Sequence, residues 1–261
     1  MTGLAWKRRL GRWFGPLTER ANRRVILLYH AIDKGAPAVT VTAFREQLDW
    51  LFANATIAPL DDLLLPGAIK GLEVALSFDD GYSSLHDIAM PLLAERGACA
   101  TVYLTTGEIG ERHRRPSDPK AGHYPGQQFL TWRDVKALAR AGWTIGSHGV
   151  KHLDLTGVSS AAAHDQLEQS RQEIERRLEM DCRHFAYTWG RFSTSLQQLV
   201  AEAGFETAVS GLHGPITNAS PRLALPRIDV RAEYQLSDFV AAVTGRWDYL
   251  GMRQRLARNM T

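Results

Sequence analysis

The chain has 261 residues, 44% of them hydrophobic and 23% charged, which suits one α/β domain with a buried core and excludes a disordered chain. A net charge of +3 is too small to mark a nucleic-acid-binding protein, and no apolar run reaches the ~18 residues of a membrane-spanning helix. The two cysteines, Cys99 and Cys182, lack CxxC spacing and exclude a disulfide scaffold.

Residues 1–24 hold seven basic side chains against Glu19 alone, so the rest of the chain is net negative. Trp6, Leu10, Trp13, Phe14 and Leu17 recur at helical spacing with arginines between them, and Gly15-Pro16 predicts that this first helix ends near Phe14. Two roles stay open for it. It caps the domain with its aromatic face, or it lies on anionic headgroups, where each nearby basic residue is worth ~1 kcal/mol. The segment lacks the apolar core and cleavage site of a secretory leader, so a cytoplasmic location is expected, at the inner membrane face in the version where this helix lies on headgroups.

Short apolar runs then alternate with helical patterns. Val25 to Tyr29 predicts a buried strand followed by His30, and Thr42 to Ala53 a helix with Thr42 as N-cap. Glu73 to Phe78 predicts a strand ending in Asp79-Asp80-Gly81, and Ile88 to Arg96 a helix closed by Gly97. Ala100 to Leu104 is the next strand. Residues Glu108 to Gln128 form an insertion rich in Pro, Gly, His and Arg, expected over the strand ends. Thr131 caps a helix through Ala141, Trp143 to Gly146 is a strand ending at Ser147-His148, and Ser159 to Leu178 is the longest helix. Strands at Phe185 to Tyr187, Thr207 to Ser210 and Leu225 to Val230, with a helix from Ser195 to Ala203, complete the series. Arg246, Arg253, Arg255 and Arg258 make the C-terminal stretch basic and amphipathic again. About seven βα alternations predict a parallel sheet or barrel, with chemistry at the C-terminal strand ends. The chain divides into a basic N-terminal segment (1–24), one barrel domain (25–245) and a basic tail (246–261).

Two features at those strand ends carry chemistry. Ser77-Phe78-Asp79-Asp80-Gly81 follows one strand and His148-Gly149-Val150-Lys151-His152 another. Two histidines four apart point the same way on one helical turn and can share a metal, and a carboxylate from a second strand end completes a three-ligand face. Alone, Asp-Asp-Gly is a common turn and HxxxH a common solvated face; together after apolar strands they point to metal binding. The other aspartate is then free to act as base. His113 and His123 are candidate substrate contacts, while His86, His164, His184 and His213 lack partner spacing and are read as surface or loop residues.

These segments, with Phe185-Ala186-Tyr187-Thr188-Trp189-Gly190 and Gly142-Trp143-Thr144-Ile145-Gly146, resemble the polysaccharide deacetylase family (NodB-homology, carbohydrate esterase family 4) over roughly residues 25–230. The resemblance implies a distorted seven-stranded (β/α) barrel and metal-assisted removal of acetyl groups from sugars. It implies Asp80, His148 and His152 as metal ligands, Asp79 as base and the Trp189 backbone N–H as oxyanion donor. Leu28-Tyr29-His30 is similar to the branch that includes poly-N-acetylglucosamine deacetylases, which implies His30 as the acid. Thr188 stands where the family usually has Pro, and Ala186 where many members have an arginine that pairs with the base. Arg227 in Leu225-Pro226-Arg227-Ile228-Asp229 could supply that charge, or form an ion pair with Asp229 or another acid.

The expected cofactor is a divalent ion, Zn²⁺ first, with Co²⁺, Ni²⁺ and Fe²⁺ as other ions such a site accepts. The expected partner is a carbohydrate, lipid-linked in one version, with peripheral contact to an anionic membrane surface. Two rival functions share the pattern: a deformylase or amidase acting on another N-acyl sugar, and a carbohydrate- or lipid-binding protein whose catalytic site has decayed.

Overall fold

The computed structural model describes residues 3–18 and 22–259, apart from the side chains of 12, 14–18 and 258–259. Seven parallel strands carry the fold: β1 (Arg23–Tyr29), β2 (Leu72–Phe78), β3 (Thr101–Leu104), β4 (Thr144–Ser147), β5 (His184–Ala186), β6 (Thr207–Val209) and β7 (Ile228–Asp229). Their order in the sheet is β7-β1-β2-β3-β4-β5-β6, with the short strand Thr56–Ile57 beside the start of β2. Each strand from β1 to β6 neighbours the next in sequence, and the last returns to the first.

That return closes the barrel. Leu225 pairs in parallel with Val209 of β6, donating to the Ala208 carbonyl at 2.8 Å and accepting from the Ser210 N–H at 2.9 Å. A few residues on, Ile228 and Asp229 pair with Leu27 and Leu28 of β1. Residues 225–229 therefore bridge the two edges of the sheet, as the distorted barrel requires.

Alternation along the strands sorts the core into two layers. Val25, Leu27, Val74 and Leu76 face outward onto Phe44, Leu48, Leu167 and Ile174 of the surrounding helices. Ile26, Ala75, Tyr103, Ala186 and Val209 face inward and fill the lumen. The file Ala75, Ser77, Asp79 continues this inward alternation past the end of β2, so Asp79 tops the lumen. Its N–H still donates to the Tyr29 carbonyl at 3.0 Å, one step beyond the ladder.

The principal helices are α1 (Gly3–Thr18), α2 (Val41–Asn54), α3 (Trp132–Arg140), α4 (Ser160–Leu178), α5 (Thr194–Glu202), α6 (Leu236–Val243) and α7 (Tyr249–Asn259). Three boundaries differ from expectation. Thr40, not Thr42, caps α2, its Oγ1 accepting from Ala43 N–H at 3.1 Å, because Val39–Thr40 is held extended by pairing with Ile32–Asp33. The expected helix from Ile88 is a π-type turn at Leu85–Ala89 running into Met90–Ala94. Pro91 sits in its first turn, where a missing N–H leaves nothing unsatisfied. Finally, α1 passes Gly15-Pro16 and reaches Thr18. A proline near a helix end removes one backbone donation, which need not stop the chain from turning. The Phe14, Leu17 and Arg12 part of the expected amphipathic face lies outside the described side chains.

Both chain ends pack on the barrel. Arg8 forms a bidentate pair with Asp238 of α6 at 2.7 and 2.5 Å, Lys7 Nζ donates to Tyr234 Oη at 2.8 Å, and Tyr249 Oη donates to the Lys7 carbonyl at 3.0 Å. Trp247 is buried against α1, and a Cβ at Gly11 would stand 2.7 Å from its indole nitrogen. No helix among the described residues is long and apolar enough to cross a membrane. Gly11→Leu isolates this contact. Leucine favours a helix over glycine by about 0.8–1 kcal/mol, yet overpacking against Trp247 should cost about 1–3 kcal/mol. The variant is expected to melt lower and to be cut faster by trypsin within residues 7–9, and an unchanged digestion pattern would show that α1 does not depend on this approach.

Candidate metal centre and cleft

Asp80, His148 and His152 come together as expected, one ligand atom from each lying within 4.8 Å of the others. His148 Nε2 and His152 Nε2 stand 3.5 and 3.6 Å from the same Asp80 oxygen, Oδ1. That oxygen is buried and has no hydrogen-bond partner. On the far side of each ring, Nδ1 lies 2.8 Å from the Ala186 carbonyl for His148 and 3.1 Å from the Ala121 carbonyl for His152. Those carbonyls can only accept, so they fix the tautomer with the proton on Nδ1 and leave the Nε2 lone pairs aimed at Asp80. Burial also holds the His148 imidazole below its usual pKa, against the pull of Asp79 and Asp80.

The route to this convergence differs from the expected helical turn. His148 follows β4 directly, and Gly149 takes a positive φ of 83°, so residues 148–152 form a loop. His152 is the middle residue of a three-residue turn closed by Leu153 N–H to the Lys151 carbonyl at 2.7 Å. Asp80 occupies the same place in a turn closed by Gly81 N–H to the Asp79 carbonyl at 2.9 Å, with φ at 73°. A non-glycine residue there is in the rare, strained form of the γ-turn. Trp189 is a second non-glycine residue at positive φ at the site, in the left-handed helical region with φ at 58° and ψ at 10°.

Asp79 does not join the triad. Arg227 grips it with two hydrogen bonds of 2.7 Å each, and both side chains are almost wholly buried. Arg227 thus stands on the base-candidate carboxylate, while Asp229 pairs with Arg231 at 2.7 Å. Burial alone would raise the Asp79 pKa, but Arg227, His148 and His30 outweigh it, and the carboxyl titrates at about 2. The charge that Ala186 cannot provide therefore arrives from the strand that closes the barrel.

His30 follows β1 and lines the same cleft of about 300 Å³ as Asp79, Asp80, His148, His152 and Trp189. Its ring stacks on Tyr124, with centroids 5.2 Å apart. Tyr124 belongs to the 108–128 insertion, which lies over the strand ends as expected, and sequence reasoning did not single it out. Its backbone N–H donates to Tyr82 Oη at 2.8 Å. The only advance signal was an aromatic beside Gly122 and His123 in a loop otherwise free of them. Of the two candidate contacts there, His113 is exposed and does not line the cleft. His123 is buried with both ring nitrogens unpartnered, its ring 5.3 Å from that of His152.

Trp189 is half exposed at the cleft rim, its ring 4.6 Å from His152 and packed so closely on Gly122 that a Cβ there would be 2.1 Å from the indole. Thr188, in the usual proline position, is buried and its hydroxyl donates to the Leu153 carbonyl. That bond ties the loop bearing Trp189 to the loop bearing His152, a link proline cannot make. Of the histidines read as surface or loop residues, two are buried, His184 in a strand and His213 in a loop. His184 sits in β5 between Thr207 Oγ1 at 2.8 Å and Asp61 Oδ1 at 3.1 Å, and His213 lies beneath α7.

Comparison with known proteins agrees with this arrangement. The profile of the polysaccharide deacetylase family matches residues 69–208, more than half of the chain. That span holds Asp79, Asp80, His148, His152 and Trp189, but neither His30 nor Arg227. YxkH of Bacillus subtilis, provisionally named a polysaccharide deacetylase, is 26% identical over 232 residues, covering 87% of this chain and 78% of its own. The poly-beta-1,6-N-acetyl-D-glucosamine N-deacetylase of Staphylococcus aureus is 21% identical, covering 81% and 72%. Among solved structures, the Streptococcus pyogenes deacetylase PplD superposes with a TM-score of 0.71 at 22% identity, covering 86% of this chain and 99% of its own. IcaB from Ammonifex degensii gives 0.71 at 19%, covering 87% and 99%. The structural likenesses bear on the fold.

The Arg227–Asp79 pair makes a stability prediction. Arg227→Met leaves a buried carboxylate unpaired, which should cost about 3–5 kcal/mol at neutral pH. The native pair depresses the folded-state pKa of Asp79, so its contribution is present above the unfolded value near 3.8 and is lost as pH falls toward 2. In the variant burial is unopposed and raises the Asp79 pKa, so the gap in urea melts is expected to narrow as pH falls from 7, first as the variant's Asp79 takes up a proton and finally, between about 3.8 and 2, as the native pair is lost. A gap independent of pH would mean that the arginine acts through packing alone.

Proposed function

The chain belongs to the polysaccharide deacetylase family, and we propose that it is a metal-dependent hydrolase that removes N-acetyl groups from an acetamido sugar in a glycan or glycan precursor. The observation that carries this reading is the buried, unpartnered Asp80 oxygen facing two imidazoles whose Nδ1 atoms are already engaged. One carboxylate oxygen and two imidazole nitrogens, beside a cleft that leaves room for water and substrate, suit a divalent cation. Asp80, His148 and His152 would hold it, with Zn²⁺, Co²⁺, Ni²⁺ and Fe²⁺ all compatible with those donors. When bound, such an ion would acidify a water and polarise the acyl carbonyl.

The other roles fall to the chain's own groups. Asp79, ionised at neutral pH, accepts the proton of the attacking water. Arg227 sets the plane of that carboxylate and keeps it charged. The Trp189 N–H is assigned to the oxyanion of the tetrahedral adduct, where a well-placed donor acts most strongly. His30 protonates the departing amine, since a free amide anion is too basic to leave, and stacking on Tyr124 fixes its ring at the cleft wall.

Acetate release from N-acetylglucosamine oligosaccharides, with and without chelator and with Zn²⁺ or Co²⁺ restored, tests the reading. Release is expected to depend on the added ion, and release that survives complete metal removal would refute it. Asp79→Asn should keep its metal and lose about 10²–10⁴-fold in turnover, whereas His152→Ala should lose metal first. His30→Ala should slow turnover while its metal content stays at the wild-type level; full activity in this variant would remove His30 from the acid role.

A further inference from the structure

The 300 Å³ cleft is one of three cavities that share walls. Gly211, Arg227, Asp229 and Arg231 line it and also a second cavity of about 390 Å³, walled further by Lys7 of α1 and by Arg253 and Gln254 of α7. His213 and Arg253 in turn line both this second cavity and a third, of about 790 Å³. The third is predominantly apolar, with Leu10, Ile69, Ile216, Tyr249, Met252 and Leu256 in its walls. The three cavities therefore adjoin in order: the cleft at the triad, a cationic middle section, and an apolar groove between α1 and α7.

The two helices build this sequence of environments by their own periodicity. On α1, Lys7 lines the middle cavity and Leu10, one turn on, lines the groove. On α7, Gln254 lines the middle cavity, Met252 and Leu256 the groove, and Arg253 both. The middle section holds more cations than anions, its one carboxylate, Asp229, already pairing with Arg231. Among the described residues, neither Lys7 nor Arg253 forms an ion pair, and Lys7 spends its ammonium on a neutral phenol. Burial and the neighbouring Arg231 hold Lys7 below its usual pKa, against the pull of Asp229, Glu233 and Asp238, none of which pairs with it directly. At the junction, His213 is nine-tenths buried, and its Nε2 has no hydrogen-bond partner, the nearest carboxylate (Asp248) lying 3.8 Å away. Burial keeps the His213 imidazole neutral, so Lys7 and Arg253 supply the charge for a compact anion and His213 a ring nitrogen beside it.

The groove is equally one-sided. Its size falls within the ~300–1,000 Å³ of ligand pockets, and its rim leaves Met252 and Leu256 57% and 63% exposed. On α1, Trp6 and Trp13, two turns apart on one side, are exposed as well. Apolar and aromatic side chains interleaved with Arg9, Arg253 and Arg255 match the headgroup boundary of a bilayer. A polymer of sugars would have no use for an apolar channel joined to its active site through a cationic neck, but a sugar joined through phosphate to a lipid would fill all three sections in order.

We propose that the acetamido sugar acted on here is carried on a lipid phosphate, with the sugar in the Asp79–His152 cleft, the phosphate between Lys7, Arg253 and His213, and the lipid chain in the groove between α1 and α7. This assignment rests on the deacetylase reading for what happens to the sugar, but the binding of lipid phosphate can be measured without metal or turnover.

The test is flotation of the full chain with phosphatidylcholine vesicles of three kinds: with undecaprenyl phosphate, with phosphatidylglycerol at equal surface charge, and with undecaprenol. Binding to the undecaprenyl phosphate vesicles is expected to be at least about tenfold tighter than to either of the others. Inorganic phosphate should compete only weakly, because it lacks the chain. Arg253→Glu and the pair Met252→Glu with Leu256→Glu should each abolish the preference, and because all three side chains are exposed, their melting points should stay near that of wild type. Equal binding to undecaprenyl phosphate and phosphatidylglycerol would reduce the surface to a general anionic-membrane contact and overturn the proposal, as would no binding to any vesicle. If acetate is released from soluble oligosaccharides while the vesicles are ignored, the lipid-phosphate assignment falls and the deacetylase reading stands. If the vesicle preference holds while no acetylated sugar is turned over, the reverse is true.

Discussion

Arg227, just before β7, reaches across β1 to hold Asp79 at the end of β2, with both side chains almost out of water. Desolvating two such charges costs several kcal/mol each, and only close bidentate geometry with further hydrogen bonds can offset it. The further bond is there, since Arg227 Nε donates to the Ser210 carbonyl at 3.2 Å. One guanidinium therefore fixes the end of β2, the exit of β6 and the entry of β7, which are the elements that meet where the barrel closes. A one-residue slip of β7 against β1 would turn Arg227 away from the lumen and strand Asp79, so the register of closure and the charge of the cleft are set by the same contact. A carboxyl held at about 2 is ionised throughout the neutral range, at the cost of basicity. On the proposed mechanism, much of the driving force for deprotonation would then come from a bound cation acidifying the water.

Much of this was legible from residue order. Alternating apolar runs with polar residues at their C-terminal ends gave the parallel barrel, because strands covered by helices must be apolar throughout and only their ends are free to carry chemistry. Two histidines and a carboxylate from a second strand end were legible as a ligand set by the same logic, and the family resemblance singled out Asp80 rather than Asp79. The path of residues 148–152 was not. Helical spacing of the two histidines suggested a turn of helix, but Gly149 at positive φ sends the chain into a loop, and the imidazoles converge from loop geometry. The cap of α2 moved to Thr40 because a two-residue strand pairing decides where the chain stops being extended, and such a pairing has almost no sequence signature.

What stayed hidden was mainly long-range pairing. The family resemblance marked Ala186 as the place of a missing cation beside the candidate base, and Arg227 could supply that charge or pair instead with Asp229 or another acid. Only the closure of the sheet, which brings positions 79 and 227 together, settles the choice. The stacking of Tyr124 on His30 and the bond from Thr188 to Leu153 depend likewise on where loops land over the barrel mouth. Backbone strain is the third hidden quantity. Among the described residues, Asp80 and Trp189 are two of the three non-glycine residues at positive φ, and the third, Glu179, merely ends a helix. Strain of this kind persists where surrounding contacts over-determine it, and it marks the residues whose placement matters most.

The central claim is that Asp80, His148 and His152 form a cation site while Asp79 is kept apart from it by Arg227. Crystals grown with Co²⁺ and measured on both sides of the cobalt absorption edge address it directly. An anomalous peak is expected among the Asp80 oxygen and the two Nε2 atoms, with Asp79 still on Arg227. A peak centred elsewhere, or Asp79 released from Arg227 to bind the ion in place of Asp80, would contradict it.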